Sequence, residues 1–398
     1  MRDDYLIVLG AYLHAAEKDD SGLPAALRGR RMQTWHVGCR MVLYFGENAA
    51  VLGVPCGGVL VGTLFSRDGT PLMGGTQLPD STNPAAVRRY VVDQCWGSYL
   101  LIQPEDGDSG GFTITRSPAV AGNIDCIHCI RDGSGFVTSD ITLAEHAGLY
   151  RRRIDWTSIA HRLRYPDIKT RRTGLADVTE LLPGETLHLD GRSISIDQTW
   201  SPWGHIAEQH RCVDPNDAVV RIRDAVTSVV HALARADRKV LLELSGGLDS
   251  SIVAACLGNS EAVVSCINLV TPVPGVDERS YASSMAGHIG AELHTELLGL
   301  DGARIAFDVA QESVAPGMGP LQYAIDRSME HAAERHGAAA YYSGGGGDSV
   351  FCYLRTAAPA ADAFKVAGLA VGFDALVDMA HLHGCTLWKA GRLALAKL

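Results

Sequence analysis

No stretch of the 398-residue sequence stays apolar for the ~20 residues a helix needs to cross a bilayer, so no membrane domain is expected. No secretory leader is expected either: the apolar residues 5–16 follow Asp3 and Asp4 and include Gly10 and His14, which reads as a buried first strand. Positive charge is in short supply. Thirty-five Lys and Arg face forty-five Asp and Glu, and a net charge of -10 offers a polyanion no bulk attraction, so a nucleic-acid partner is not expected. Nowhere does Gly-Lys-Ser/Thr occur, which excludes the common phosphate loop of kinases and motor ATPases. The ten cysteines are scattered, and without a secretion signal they read as reduced thiols of a cytoplasmic protein. Cys126 and Cys129 flank His128 at the spacing of half a zinc site; no second pair completes four ligands, so ordinary strand cysteines are expected.

What is present divides into two parts. The length suits two cores, and turn residues at Trp200-Ser201-Pro202-Trp203 mark the boundary, giving domains 1–205 and 206–398. The first is β-rich. Apolar residues 124–130 and 136–138 flank Asp132-Gly133, and residues 186–189 and 193–196 flank Asp190-Gly191, each pattern a hairpin. Helical spacing appears mainly around 142–159. In the second part Asp214 stands at an N-cap, Pro215 at the first helical position, and Val219, Ile222, Val226, Val229, Val230 and Leu233 recur at spacings of three and four. Predicted strands at 240–244, 262–269, 292–297 and 338–342 then alternate with helices near 250–257, 277–289 and 321–335. This rhythm predicts an α/β fold with a parallel sheet and crossover helices.

The most informative string is Leu244-Ser245-Gly246-Gly247-Leu248-Asp249-Ser250-Ser251, which ends one strand and opens a helix. Ligands of parallel sheets bind beyond the carboxyl ends of strands, where a helix N-terminus offers unpaired amides and a positive partial charge. Gly246 and Gly247 let backbone amides approach phosphate oxygens, and Ser245, Ser250 and Ser251 add hydroxyls. A second Gly-rich turn, Ser343-Gly344-Gly345-Gly346-Gly347-Asp348, follows the last predicted strand. Asp249 and Asp348 together could hold Mg²⁺ against a triphosphate. The plainer readings are a strand-to-helix turn for the first string and a surface loop with a capping Asp348 for the second.

The first string resembles the pyrophosphatase loop of the asparagine synthetase superfamily. The resemblance extends through Asp277-Glu278, Tyr281-Ala282, Met285-Ala286, Ile289-Gly290 and His294, and through residues 338–351. It implies a C-terminal parallel-sheet ATP-pyrophosphatase domain of the adenine-nucleotide α-hydrolase-like type, with ATP and Mg²⁺ bound. Leu244 and Asn268 would border the adenine, Ser343 and Gly344 would contact the nucleotide, and Asp249 and Asp348 would hold the metal. Trp96-Gly97-Ser98-Tyr99, Asp132-Gly133, Ser139-Asp140 and Leu182-Pro183-Gly184-Glu185 fit a degenerate, Ntn-type glutaminase-like domain, with Arg2 where such enzymes carry a nucleophilic cysteine. Gly345 stands where asparagine synthetases carry Glu and β-lactam synthetases Tyr. In both departures the sequence is most similar to the macrolactam synthetases that close lasso peptides.

That similarity implies a precursor peptide as substrate, with a leader-processing protease and a leader-binding protein as partners. Its chemistry would be adenylation of an Asp or Glu side chain, followed by attack of the N-terminal amine. Ammonia-dependent asparagine synthesis, β-lactam-type amide synthesis and an inactive nucleotide-binding scaffold stay open as alternatives. The family's later segment, with its catalytic lysine, has no match in Lys365, Lys389 or Lys397, so the synthetase domain is expected to be truncated at its C-terminus.

Other residues carry two readings. Trp200 and Trp203 read as packing residues at the junction, and His205 and His210 as exposed linker histidines. The segment 312–318 is placed near the acceptor pocket. The basic cluster Arg151, Arg152, Arg153, Arg162, Arg164, Arg171 and Arg172 is either a solvated face or a surface for an acidic partner or leader segment.

Overall fold

The computed structural model describes residues 4–10, 27, 30–37, 41–79, 81–105, 111–119, 124–166, 168–206, 209, 212–271, 277–298, 313–315, 320–350 and 356–397. The side chains of 320–323, 348 and 349 lie outside that description.

The first half holds two six-stranded sheets whose paired strands are antiparallel. One has the order β10 (Thr179–Glu180), β8 (Ile127–Arg131), β9 (Ser134–Thr138), β1 (Tyr5–Leu9), β3 (Met41–Gly46), β2 (Met32–Val37). The other runs β12 (Ser193–Gln198), β11 (Glu185–Asp190), β7 (Phe112–Arg116), β6 (Cys95–Pro104), β5 (Gly58–Ser66), β4 (Val51–Val54). Strand alternation explains the layering. Tyr5, Ile7 and Leu9 of β1 join Val59 and Val61 of β5 and Leu100 and Ile102 of β6 in the core between the sheets. Leu6 and Val8 point the other way, into a core with α2 (Ile141–His146). Leu60, Tyr99 and Leu101 pack outward beneath α1 (Pro84–Gln94). The sequence patterns above did not include α1, although Asn83 caps it, accepting from the amides of Ala85 and Ala86, and Pro84 opens it.

Both predicted hairpins form. Asp132 and Gly133 turn with φ of 50° and 74°; in the second, Asp190 pairs with Ser193, which moves the turn one residue on, to Gly191 and Arg192. The helical region near 142–159 is two helices, α2 and α3 (Trp156–Arg164), each started by its own aspartate: Asp140 caps the first and Asp155 the second. Only residues 5–9 of the apolar stretch 5–16 form the strand; 11–16 lie outside the described residues.

The second half is built on a four-stranded sheet of order β15 (Glu292–Leu297), β14 (Val263–Val270), β13 (Lys239–Glu243), β16 (Ala340–Tyr342), parallel throughout. Leu242, Leu244 and Cys266 face α4 (Pro215–Asp237), α5 (Leu248–Gly258) and α6 (Arg279–Ile289). Leu241 and Ile267 face α7 (Pro320–His336). Helices thus cover both faces, as a parallel sheet requires. The chain builds outward from β13 through β14 to β15 and then returns to place β16 on the other flank, so the order reverses between β13 and β16. Such a reversal leaves a crevice at the strands' carboxyl ends.

Of the predicted stripe on α4, Val230 is buried and Val226 half-buried, while Val219 and Ile222 are exposed; the helix packs through its later turns. After the short α8 (Gly347–Val350), α9 (Ala358–Leu382), broken at Gly368 with φ 89°, and α10 (Leu387–Leu395) form a hairpin around Ala360, Leu376, Met379 and Ala390. No helix among the described residues is long and apolar enough to cross a membrane.

Candidate active site

The loop after β13 leads straight into α5. Its N-cap is Gly247, and no side chain caps the helix, so the first-turn amides face outward without a side-chain acceptor. Gly246 has φ 84°, and a Cβ there would stand 2.5 Å from the Ala282 amide nitrogen, so α6 seals the back of the loop and only glycine fits. The hydroxyls shape the turn from within. Ser245 Oγ accepts from the Gly247 amide at 3.1 Å and lies 3.0 Å from Ser250 Oγ, while the Ser251 amide donates to the Gly247 carbonyl.

The second Gly-rich turn meets the first. A Cβ on Gly344 would come 2.5 Å from the Ser250 amide nitrogen and 3.0 Å from Asp249 Cβ, and one on Gly347 would collide with the Asp249 carboxylate. The run of glycines is therefore a docked turn, and the plainer reading of a free surface loop is set aside. Ser343 Oγ accepts from the Gly345 amide at 3.1 Å and holds it in shape. Asp249 points at the turn that carries Asp348; the Asp348 side chain itself lies outside the described residues. Among the described residues no group of three or more His, Cys, Asp or Glu side chains is arranged to hold a metal.

Leu244 and Asn268 sit side by side where β13 and β14 end. Leu244 is fully buried, its amide bonded to the Ile267 carbonyl at 2.8 Å; Asn268 Nδ2 donates to the Leu244 carbonyl at 2.8 Å. Asn268 is 3% exposed, and its buried Oδ1 has no hydrogen-bond partner among the described residues.

Two pairs here had no counterpart in the sequence reading. Tyr341 Oη donates to Glu243 Oε2 across the ends of β16 and β13, and Tyr342 Oη donates to Asp237 Oδ2 at 2.8 Å. Burial, and then the adjoining carboxylate, raises both phenols well above the usual range; burial also raises Asp237, against the pull of its Tyr342 bond. The available signal was Glu243, a carboxylate directly after the apolar Val240, Leu241 and Leu242. Asp277 serves Arg279: guanidinium and amide hydrogen bonds from that residue bring its carboxyl down to about 2.

Other candidates lie apart from the crevice. Successive residues of β8 face opposite cores, so Cys126 joins the inter-sheet cluster while Cys129 packs on the outer one, and the two thiols do not converge. Burial pushes the Cys126 thiol up to about 12. Trp200 lies 5.6 Å from the His205 ring, centroid to centroid; Trp203 is 75% exposed, which corrects its reading as a packing residue. His210 lies outside the described residues. Much of the basic cluster is paired: Arg152 with Glu145, Arg171 with Glu185, and Arg172 with Asp155. Of the segment 312–318 only 313–315 are described; the Val314 carbonyl accepts from the Gly174 amide at 2.6 Å and its side chain packs on a first-half core.

A parallel sheet, a Gly-rich turn opening a helix at the reversal point and a second Gly-rich turn docked on it form the kind of crevice in which open α/β sheets bind ligands. Comparison with known families agrees: residues 221–384, from within α4 to just past α9, match the family model for asparagine synthase. The match is confined to the second half of the chain. No curated protein matches the chain.

Proposed function

We propose that the chain forms an amide bond through an acyl-adenylate, and that the bond closes a macrolactam within a lasso precursor peptide. The observation that supports adenylation most is the seating of Gly344 and Gly347 on Asp249 and Ser250, which joins the turns after two neighbouring strands into one crevice. In this reading the triphosphate lies over Gly246, Gly247 and the first turn of α5, with Ser245, Ser250 and Ser251 beside it. Leu244 and Asn268 border the purine, and Ser343 and Gly344 close the opposite side. Asp249 and Asp348 would hold Mg²⁺, which when bound neutralises phosphate charge.

The substrate's carboxylate oxygen attacks the α-phosphorus and pyrophosphate leaves. An amine nitrogen then attacks the acyl carbon, the bond to the phosphate oxygen breaks, AMP departs, and the nitrogen gives up its proton. Gly345 supports a peptide's own amine as nucleophile, because a residue without a side chain has nothing with which to order free ammonia or take its proton. Tethering both reacting groups in one peptide contributes up to ~7–11 kcal/mol in well-oriented systems.

The test is a product analysis. Incubation with ATP and a candidate precursor peptide is expected to yield AMP and pyrophosphate in step with loss of one water from the peptide's mass. ADP and phosphate would refute adenylation. Asparagine made from aspartate and ammonia, with no peptide present, would refute ring closure.

A further inference from the structure

On one face of the parallel sheet a chain of hydrogen bonds runs from the second Gly-rich turn to a carboxylate. Leu241 packs toward α7, and Tyr341 lies beside it in register on β16. Glu243 stands two residues further along β13, so strand alternation puts it on that same face, at the carboxyl end of the sheet. The Tyr341 hydroxyl donates to Glu243 Oε2. Burial, and then the bond to Glu243, raise the phenol's pKa, whereas the hydroxyl of Ser343, bonded to the same phenol, lowers it; Asp326 of α7 adds a smaller upward push. A group that donates to the phenol oxygen has this lowering effect, so the Ser343 proton points at Tyr341. Ser343 Oγ in turn accepts from the Gly345 amide at 3.1 Å.

Every hydroxyl in this chain aims its hydrogen toward Glu243. A hydroxyl has one hydrogen and two lone pairs. Among the described residues the Gly345 amide is the one donor to Ser343 Oγ, which leaves a lone pair for a further donor. That oxygen lies against the position of Gly345, where a Cβ would stand 3.0 Å from it. Amide formation must release a proton from the attacking nitrogen, and Gly345 itself has no group to take it. We infer that Ser343, Tyr341 and Glu243 relay the proton of the attacking amine away from the crevice, with the Glu243 carboxylate as its final acceptor. The nitrogen's proton passes to Ser343 Oγ, the Ser343 proton to Tyr341 Oη, and the Tyr341 proton to Glu243. Both hydroxyls end as they began, and one O–H bond is gained at Glu243 for the N–H bond lost. Tyr341 and Glu243 act through Ser343, as positioning residues. The relay rests on the adenylation reading, but it needs only that an amine attack an acyl-adenylate, so it serves a peptide amine or ammonia alike.

The test separates the two half-reactions in the full chain. Exchange of labelled pyrophosphate into ATP reports adenylation, and loss of one water from a peptide, or appearance of asparagine, reports the amide. Two substrate sets are used: synthetic peptides that differ in the position of one Asp or Glu downstream of a free N-terminal amine, and L-aspartate with ammonium chloride. In Tyr341→Phe and Glu243→Gln the ratio of amide formation to exchange is expected to fall about 10²-fold, the low end for loss of a positioned base. Added formate, a small carboxylate, is expected to restore part of the amide rate to Glu243→Ala. A pair that merely pins β16 to β13 would lower both half-reactions together and would not respond to formate. An unchanged ratio, joint loss of both activities, or no rescue would therefore overturn the relay, while exchange by the wild type left the adenylation reading standing. A wild type that exchanges pyrophosphate with neither substrate set would overturn that reading and the relay with it.

Discussion

The carboxylate of Asp249 rests against the backbone of Gly347, with no space between them for a side chain. One residue ends the phosphate-type turn after β13 and the other belongs to the turn after β16, so this contact ties together two segments far apart in sequence. It also divides the glycine run by role. Gly344 and Gly347 are crowded by the neighbouring turn, whereas a Cβ on Gly345 would meet only the hydroxyl of Ser343, at 3.0 Å.

Gly347→Ala is expected to displace Asp249 and lower ATP-dependent pyrophosphate release about 10²-fold, the scale set by an ångström of misplacement near reacting groups. Gly345→Ala should stay within about threefold of wild type, because its one close contact is a side-chain oxygen that can give by a few tenths of an ångström. Steady-state pyrophosphate release compares the two, and equal losses would show that the contact with Asp249 is not what matters.

Gly246→Ala combines a positive φ with a Cβ pressed on the Ala282 amide. Strain and overpacking together are expected to cost about 2–4 kcal/mol. Urea unfolding followed by helical circular dichroism should register that loss, and a cost below about 0.5 kcal/mol would place it within the range of ordinary surface changes.

In the first half, the side chain of Arg116 is 4% exposed and bonds Glu180 at 2.9 Å, while Lys169 reaches the other oxygen of Glu180 at 2.7 Å. Arg116→Met leaves the buried Glu180 carboxylate with one exposed partner and should cost about 3 kcal/mol, the low end for breaking a buried pair. Adding Glu180→Gln should recover part of that cost in a double-mutant cycle. Strict additivity of the two changes would deny their coupling.

His128 of β8 is buried, which brings its pKa down to about 4; nearby Glu185 opposes the shift and Arg171 adds to it. It is neutral in the fold, whereas the unfolded chain binds its proton near pH 6.5. Below that pH the unfolded state binds more protons, so stability falls as pH drops from about 6.5 to 4, by at most ~1.4 kcal/mol per unit from this group. Urea midpoints across that window should fall more steeply for the wild type than for His128→Phe; parallel curves would mean that the imidazole titrates normally.

The sheet of the second half was legible because its strands are short apolar runs divided by helices with caps, from Asp214 onward. The Gly-rich turns were legible because glycine pairs at strand ends serve close approach. What could not be read was proximity: nothing in the order of residues says that Gly344 and Gly347 reach Asp249 while Gly345 does not. Helix α4 shows a related limit, since its apolar spacing at Val219 and Ile222 predicts burial that the packing does not provide. Tyr341 and Glu243 come together only through the placement of β16 beside β13, a long-range event without a local signature.

The central claim is that the two turns grip one nucleotide between them. Titration calorimetry of Mg²⁺-ATP into the wild type, Asp249→Ala and Gly347→Val tests it without any peptide substrate. Micromolar binding by the wild type, weakened at least about tenfold in both variants, is the predicted result. Variants that bind as tightly as the wild type, or a wild type that binds no ATP at all, would contradict it.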